Sequence, residues 1–216
     1  MPFSGHSDVA QDSLSLGLLP RLIAAGWFSV AGGVPVIFFF LAFGGVRDSG
    51  TEKLNPFALW LFGIVPVSSA ALAGFTVGSR IVDPTRRPTS GRAALRGISV
   101  ALLSYVLFMA IYFGSVALSS QFSGGNRSFE NFPYWFLMIF VFGLIFVGWL
   151  IVIVGAIAGL LLHEFAAPAY LGSDLIKAPR VPASTANKWV AIAVGLFLLN
   201  YVIGLLSTIN AGGRTR

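Results

Sequence analysis

The sequence predicts an all-α fold, an integral membrane bundle of five transmembrane helices. Five intervals contain no Lys, Arg, Asp or Glu, and each is at least 25 residues long. A helix needs about 20 apolar residues to cross a bilayer, so each interval supplies one span and is too short for two spans with a loop. The intervals cover residues 22–46, 54–79, 97–126, 131–163 and 189–213.

The composition supports the same fold class. Hydrophobic residues make up 56% of the chain and charged residues only 10%, whereas soluble domains carry about 25% charged residues. The apolar runs are continuous, which excludes the ten-residue alternation typical of a transmembrane β-barrel. The chain has no cysteine, which excludes disulfides, cysteine-ligated metals and thiol catalysis.

Caps and prolines refine the helix bounds. Pro20 suits a first helical turn, while Pro35 and Pro66 lie inside apolar runs and predict kinks. A polar N-terminal segment (1–19) precedes the helices, and a flexible tail (210–216) follows them. The predicted helices are about 20–44, 56–82, 94–119, 134–163 and 187–209.

Lys and Arg predict the orientation, because they are enriched in cytoplasmic loops. The face that carries the N-terminus and the second and fourth loops has nine of them, and the opposite face has five. The sequence therefore predicts a cytoplasmic N-terminus and an outer C-terminus, in an inner or plasma membrane. The net charge of +6 is explained by topology and anionic lipid rather than by nucleic acid, and no nucleic-acid partner is expected.

The second and fourth predicted helices share a pattern. Gly74 and Gly78 are followed by Asp83, and Gly155 and Gly159 are followed by Glu164, with an offset of 81 residues throughout. This repeat predicts one helix plus two tandem, parallel helical hairpins. Chance similarity between membrane helices is the alternative explanation.

Small residues four apart leave a groove that a neighbouring backbone can approach closely. Such stripes predict contacts with another helix of the chain, or with a partner subunit or lipid. Trp149 lies deeper than the other tryptophans and is a candidate for the same kind of contact. The candidate helix-packing or partner-contact residues are Gly74, Gly78, Gly148, Gly155, Gly159 and Trp149.

Ionisable side chains are absent from the centres of the spans, which argues against proton-coupled pumps, voltage sensors and most ion-coupled carriers. His163 and Glu164 form the one titratable pair at the edge of a span. His163 is therefore the candidate cofactor ligand, to a haem or a pigment, although the only other histidine is His6. No metal site, catalytic triad or nucleotide loop is recognisable, so no cofactor is predicted other than bound lipid.

Arginines crowd the second loop and its flanks. Their side chains are expected to contact anionic lipid headgroups, although the positive-inside bias explains them equally well. The candidate residues are Arg80, Arg86, Arg87, Arg92 and Arg96.

Three functions remain open. The first is a non-catalytic accessory or scaffolding subunit of a larger membrane complex, with membrane lipids and other membrane subunits as partners. The second is a small permease or channel for an uncharged or lipidic solute, with the proline-kinked helices lining its path. The third is a lipid-acting enzyme at the cytoplasmic face that uses His163, Glu164 and the nearby arginines.

Overall fold

The computed structural model describes residues 14–42, 59–83, 88–122, 132–168 and 180–212. These residues form five long helical segments and one short antiparallel ribbon. In chain order the elements are β1 (Leu14–Leu16), α1 (Leu18–Ala42), α2 (Val65–Thr76), α3 (Ser90–Phe122), α4 (Phe132–Leu161), β2 (Arg180–Pro182) and α5 (Ala183–Gly212).

Four of the helices are long and apolar enough to cross a membrane, which confirms the all-α, membrane-compatible fold class. The qualifying segments are Leu18–Ile37, Ser90–Ser115, Gly148–Ala166 and Ala183–Gly204. The second predicted span corresponds to a shorter apolar segment, Trp60–Thr76. Its predicted start at residue 56 lies outside the described residues, so the fifth span stays a prediction.

Two segments depart from a regular α-helix. α2 is preceded by a π-helical turn at Trp60–Ile64 and followed by a 3-10 turn at Gly78–Ile81. Pro66 lies in the first turn of α2, where the π turn ends and the α-helix begins. Its missing N–H therefore falls at the junction between a π turn and an α-helix. α4 likewise ends in a π-helical turn, Leu162–Ala166.

Several helices extend beyond the bounds that the charges suggested. α3 begins at Ser90 rather than 94, and its first turn is closed by the Ala93 N–H, which donates to the Thr89 carbonyl at 2.9 Å. α5 starts at Ala183 and continues through Gly212, so the predicted tail at 210–216 begins within a helix. Charged and polar residues end the apolar part of a segment, but they do not prevent the helix from continuing beyond it.

The first four helices pack in chain order around a common centre. α1 lies against α2, α2 against α3, and α3 against α4, while α1 and α4 touch each other at few residues. α5 packs chiefly on α2 and on the ribbon. The α2–α3 pair is therefore in extensive contact and the α4–α5 pair is not, and the predicted arrangement of two tandem hairpins is not confirmed.

One end of the bundle gathers the polar groups. β1 pairs with β2, with Ser15 opposite Val181, and this joins the chain before α1 to the chain before α5. At the same end, the Ser90 hydroxyl at the start of α3 donates to Glu164 Oε1 after α4, at 2.9 Å. This region is called the polar end below.

Candidate functional site

A cavity of about 330 Å³ lies between α1, α2, α3 and α4. Its size falls at the lower end of the range for small-molecule sites, which is about 300–1,000 Å³. Pro35 from α1 and Pro66 from α2 both line it, together with Gly32 and Ser104. The two prolines that the sequence marks as helix-deforming positions therefore both lie at this cavity.

The lining of the cavity is almost wholly apolar. No charged side chain lines it among the described residues. Tyr105 contributes its ring, but its hydroxyl donates to the Phe140 carbonyl of α4 at 3.0 Å. Ser104 supplies the other side-chain hydroxyl in the lining. Such a surface suits a hydrocarbon chain or an apolar ring better than water or an ion.

The cavity is closed toward the polar end. Phe28, Val100 and Ala158 form part of its lining and belong to a tightly packed apolar cluster. In addition, the Trp27 indole Nε1 donates to the Ala158 carbonyl at 2.9 Å, which ties α1 to α4 at this level. Both α1 and α4 line the cavity, yet these two helices make few direct contacts with each other.

The predicted glycine stripes lie at two helix contacts. On α2 and the turn after it, a Cβ at Gly74 would lie 2.7 Å from the Ala24 carbonyl oxygen, and one at Gly78 would lie 2.8 Å from the Phe28 ring. On α4, a Cβ at Gly159 would lie 2.5 Å from the Ala93 carbonyl oxygen. Backbones approach closely at both contacts, as small residues permit.

The α3 partner of the α4 stripe was not among the sequence candidates. A Cβ at Gly97 would lie 2.1 Å from the Gly155 carbonyl oxygen and 2.8 Å from the Gly159 Cα. The available signal was the spacing of Ala93, Gly97 and Ala101, which places three small residues on one face of α3.

Two other candidates have different surroundings. At Gly148, the atoms that an added Cβ would meet belong to Leu144 of the same helix. The Trp149 side chain is 61% exposed and points away from the bundle core. Neither residue lies in the contact between α3 and α4 that Gly155 and Gly159 form.

His163 is buried, with 6% of its surface exposed, in the π turn that follows α4. Its Nδ1 has no hydrogen-bond partner among the described residues. Its Nε2 lies 3.8 Å from Glu164 Oε1, which is too long for a hydrogen bond. Because Ser90 bonds to Glu164 and not to His163, these three side chains do not form the Ser–His–acid relay of a hydrolase. Within the described part of the chain, no group of three or more His, Asp or Glu side chains could hold a metal.

Two arginines reach backbone carbonyls near the end of the helical segment Trp60–Ile81, which is called the α2 segment. The Arg96 guanidinium donates through Nη1 to the Arg80 carbonyl. Arg21, at the start of α1, was counted only for topology, yet it is 8% exposed and reaches the Phe75 carbonyl of α2 at 3.5 Å. Arg92 is exposed on α3. Arg86 and Arg87 lie outside the described residues.

The length and composition of its helices identify this chain as a helical protein that is compatible with a membrane. Comparisons with protein-family models, with characterised proteins and with solved structures found no match. The functional argument therefore depends on the geometry of the chain itself.

Proposed function

We propose that this chain is an integral membrane protein that crosses the bilayer five times and holds an apolar chain-like molecule, such as a lipid tail, in the cavity between α1 and α4. The observation that carries this proposal is the uncharged lining of the 330 Å³ cavity. At roughly 30 Å³ for each water-sized group, such a volume accommodates on the order of ten heavy atoms. The role is non-catalytic, and it fits either storage of a lipidic ligand or its passage.

The fifth span in this proposal is the α2 segment. From Trp60 to Ile81 it would measure about 30 Å at 1.5 Å per residue, close to the thickness of a bilayer core. The polar end, which collects the start of α1, the end of the α2 segment and the start of α3, would then face the cytoplasm. The nine-to-five distribution of Lys and Arg favours this orientation.

Native mass spectrometry of the protein released from membrane nanodiscs tests the proposal. A Ser104→Phe variant places a bulky ring in the lining of the cavity and should lose most of the bound lipid. Ala110→Phe adds the same bulk to an exposed position of the same helix, and it should retain the lipid. Equal lipid retention by both variants, or a wild-type protein that carries no apolar ligand, would contradict the proposal.

A second candidate is an accessory subunit of a larger membrane complex, and α5 is the observation that favours it. Only 6% of its span is buried within the chain. Its main attachment is at the far end, where Tyr201 stacks on Trp60 at 5.9 Å and Gly204 lies against the same indole. The rest of α5 is free to contact either a partner subunit or lipid.

The mass of the purified assembly shows whether a partner subunit or lipid contacts the exposed surface of α5. If the chain is a subunit, gentle purification should give a complex of fixed stoichiometry that contains at least one other protein. Replacing Leu199, which is 53% exposed on α5, by Trp should weaken that complex. Replacing Leu102, which is 36% exposed on α3, should do so less. A monomer that carries lipid alone would eliminate this candidate.

A further inference from the structure

A serine hydroxyl in the lining of the cavity differs from two other serine hydroxyls of α3. The Ser99 hydroxyl donates to the Leu95 carbonyl at 2.9 Å, four residues earlier in the same helix. The Ser115 hydroxyl donates in the same way to the Ile111 carbonyl at 2.8 Å. Ser104 lines the cavity and makes no hydrogen bond within the part of the chain that the structure describes. Its hydroxyl is therefore available to a molecule in the cavity.

A backbone carbonyl of α1 lacks its usual helical partner. Pro35 lies inside α1, and because proline has no N–H it cannot donate to the Ala31 carbonyl four residues earlier. Ala31 and Pro35 both line the cavity, so the carbonyl that lies between them borders the same space. An acceptor away from water is costly to leave without a donor, so a ligand that donates to this carbonyl is favoured.

The hydroxyl and the carbonyl lie at a similar depth in the bundle. α1 and α3 both run antiparallel to the α2 segment, so they run in the same direction from the polar end. Phe28 and Val100 lie at one level, because a Cβ at Gly78 would be 2.8 Å from the Phe28 ring and 3.5 Å from Val100 Cγ2. Ala31 and Ser104 each follow these residues by about one helical turn. Both polar groups are therefore about one turn farther from the polar end than the packed cluster that contains Phe28 and Val100.

The two groups determine which head group the cavity favours. Since no charged side chain lines the cavity among the described residues, a carboxylate or an ammonium group would be buried there without a counter-charge, at high cost. A hydroxyl both donates and accepts, so it can donate to the Ala31 carbonyl and accept from Ser104. An ether can only accept, and a hydrocarbon can do neither.

We propose that the ligand of this cavity is an uncharged long-chain alcohol, whose hydroxyl group binds to Ser104 and to the Ala31 carbonyl. The inference rests on the proposed function, because it names the class of ligand for the same cavity. The hydrocarbon part of the alcohol fills the apolar remainder of the space, which Pro66 and Gly32 help to line.

The test compares three ligands of equal size on the full chain in nanodiscs. They are n-decanol, its isomer nonyl methyl ether, and undecane, which has the same number of heavy atoms. Each is added at the same mole fraction of the bilayer, and binding is followed by native mass spectrometry and by the midpoint of thermal unfolding. Decanol should bind about fivefold more tightly than the ether, because the ether leaves the Ala31 carbonyl without a donor, and undecane should bind more weakly still.

Two substitutions separate the two contacts. Ser104→Ala removes one donor, so it should weaken decanol and the ether about fivefold each and leave undecane unchanged. Ser99→Ala is the matched control, because Ser99 is exposed on the same helix and its hydroxyl bonds within that helix; it should leave decanol binding unchanged. Pro35→Ala restores the N–H for the Ala31 carbonyl, so it should remove most of the preference for decanol over the ether. This ratio is measured within one variant, so a general change in the shape of the cavity affects both ligands alike.

Three results would overturn the inference. Equal binding of decanol, the ether and undecane would show that the cavity accepts any hydrocarbon chain, which leaves the proposed function in place. Binding of none of the three ligands would contradict the proposed function as well. Equal effects of Ser104→Ala and Ser99→Ala would show that the Ser104 hydroxyl does not bind the ligand.

Discussion

At Gly97 the backbones of α3 and α4 lie close together. An added Cβ would meet backbone atoms of α4, at 2.1 Å from the Gly155 carbonyl oxygen. Backbone cannot rotate away as a flexible side chain can, so the two helices must separate to admit even one methyl group. In a membrane, where helices associate through close packing and hydrogen bonds, this separation removes much of the attraction between them.

Gly97→Ala should therefore destabilise the protein by about 2 kcal/mol, the middle of the range for overpacked cores. The measurement is thermal unfolding in detergent or nanodiscs, in which the midpoint should fall by several degrees. Gly91→Ala is the control on the same helix, because no atom lies within 4 Å of the added Cβ. A Gly97→Ala protein as stable as the Gly91→Ala protein would show that the close contact is not present.

At the level of single residues, the sequence indicated the small side chains of α4 but not their partner. The glycine pairs stand out because glycine is the smallest residue, whereas Ala93, Gly97 and Ala101 form a weaker pattern that becomes distinctive only once a partner helix is placed beside them. The burial of Arg21 was also hidden. Its position at the edge of an apolar run fits a topology signal, and only the approach of Phe75 to its guanidinium reveals a buried charge.

The helices themselves were largely predictable, because charges are costly in the hydrocarbon core and so mark the limits of each apolar run. The residues at which the helices begin and end were harder to predict. Ser90 starts α3 within a polar stretch, and the apolar pattern carries no information on helix beyond the apolar run. The cavity was also beyond sequence reasoning. Pro35 and Pro66 predicted deformation, but the space depends on how loosely α1 packs against α4, which is a tertiary property.

The ribbon is the element with the weakest sequence signal. Each strand has three residues, and the two strands are separated by most of the chain. Such short segments carry no alternating pattern that could be recognised. The pairing matters because it joins the chain before α1 to the chain before α5, and α5 has few other attachments near the polar end.

A disulfide tests this pairing directly, because the chain has no native cysteine to compete. A Ser15→Cys, Val181→Cys double variant should oxidise readily, since directly paired strand positions lie within the reach of a disulfide. The cross-link is read as a mobility shift on a non-reducing gel after proteolysis between the helices. A Ser15→Cys, Ala191→Cys variant places its second thiol two turns into α5, and it should stay reduced. Equal cross-linking of both pairs would show that the ribbon is not formed.

At the scale of the whole chain, the feature to be tested is the orientation of the helices relative to a bilayer. α4 carries the chain from Tyr134 to the turn that holds His163, over about 45 Å at 1.5 Å per residue. The two ends of this helix therefore lie on opposite sides of any bilayer that it crosses. Most of the basic residues lie in segments next to the polar end, and the positive-inside rule predicts that this end faces the cytoplasm.

Introduced cysteines test this orientation in intact cells. Thr89→Cys and Lys188→Cys lie at exposed positions of the polar end, and they should react with a membrane-impermeant maleimide only after the cells are permeabilised. Tyr134→Cys replaces a side chain that is 60% exposed at the other end of α4, and it should react in intact cells. The wild-type chain has no cysteine and provides the background. The opposite pattern would invert the proposed orientation, and labelling of all three variants in intact cells would mean that α4 does not separate two compartments.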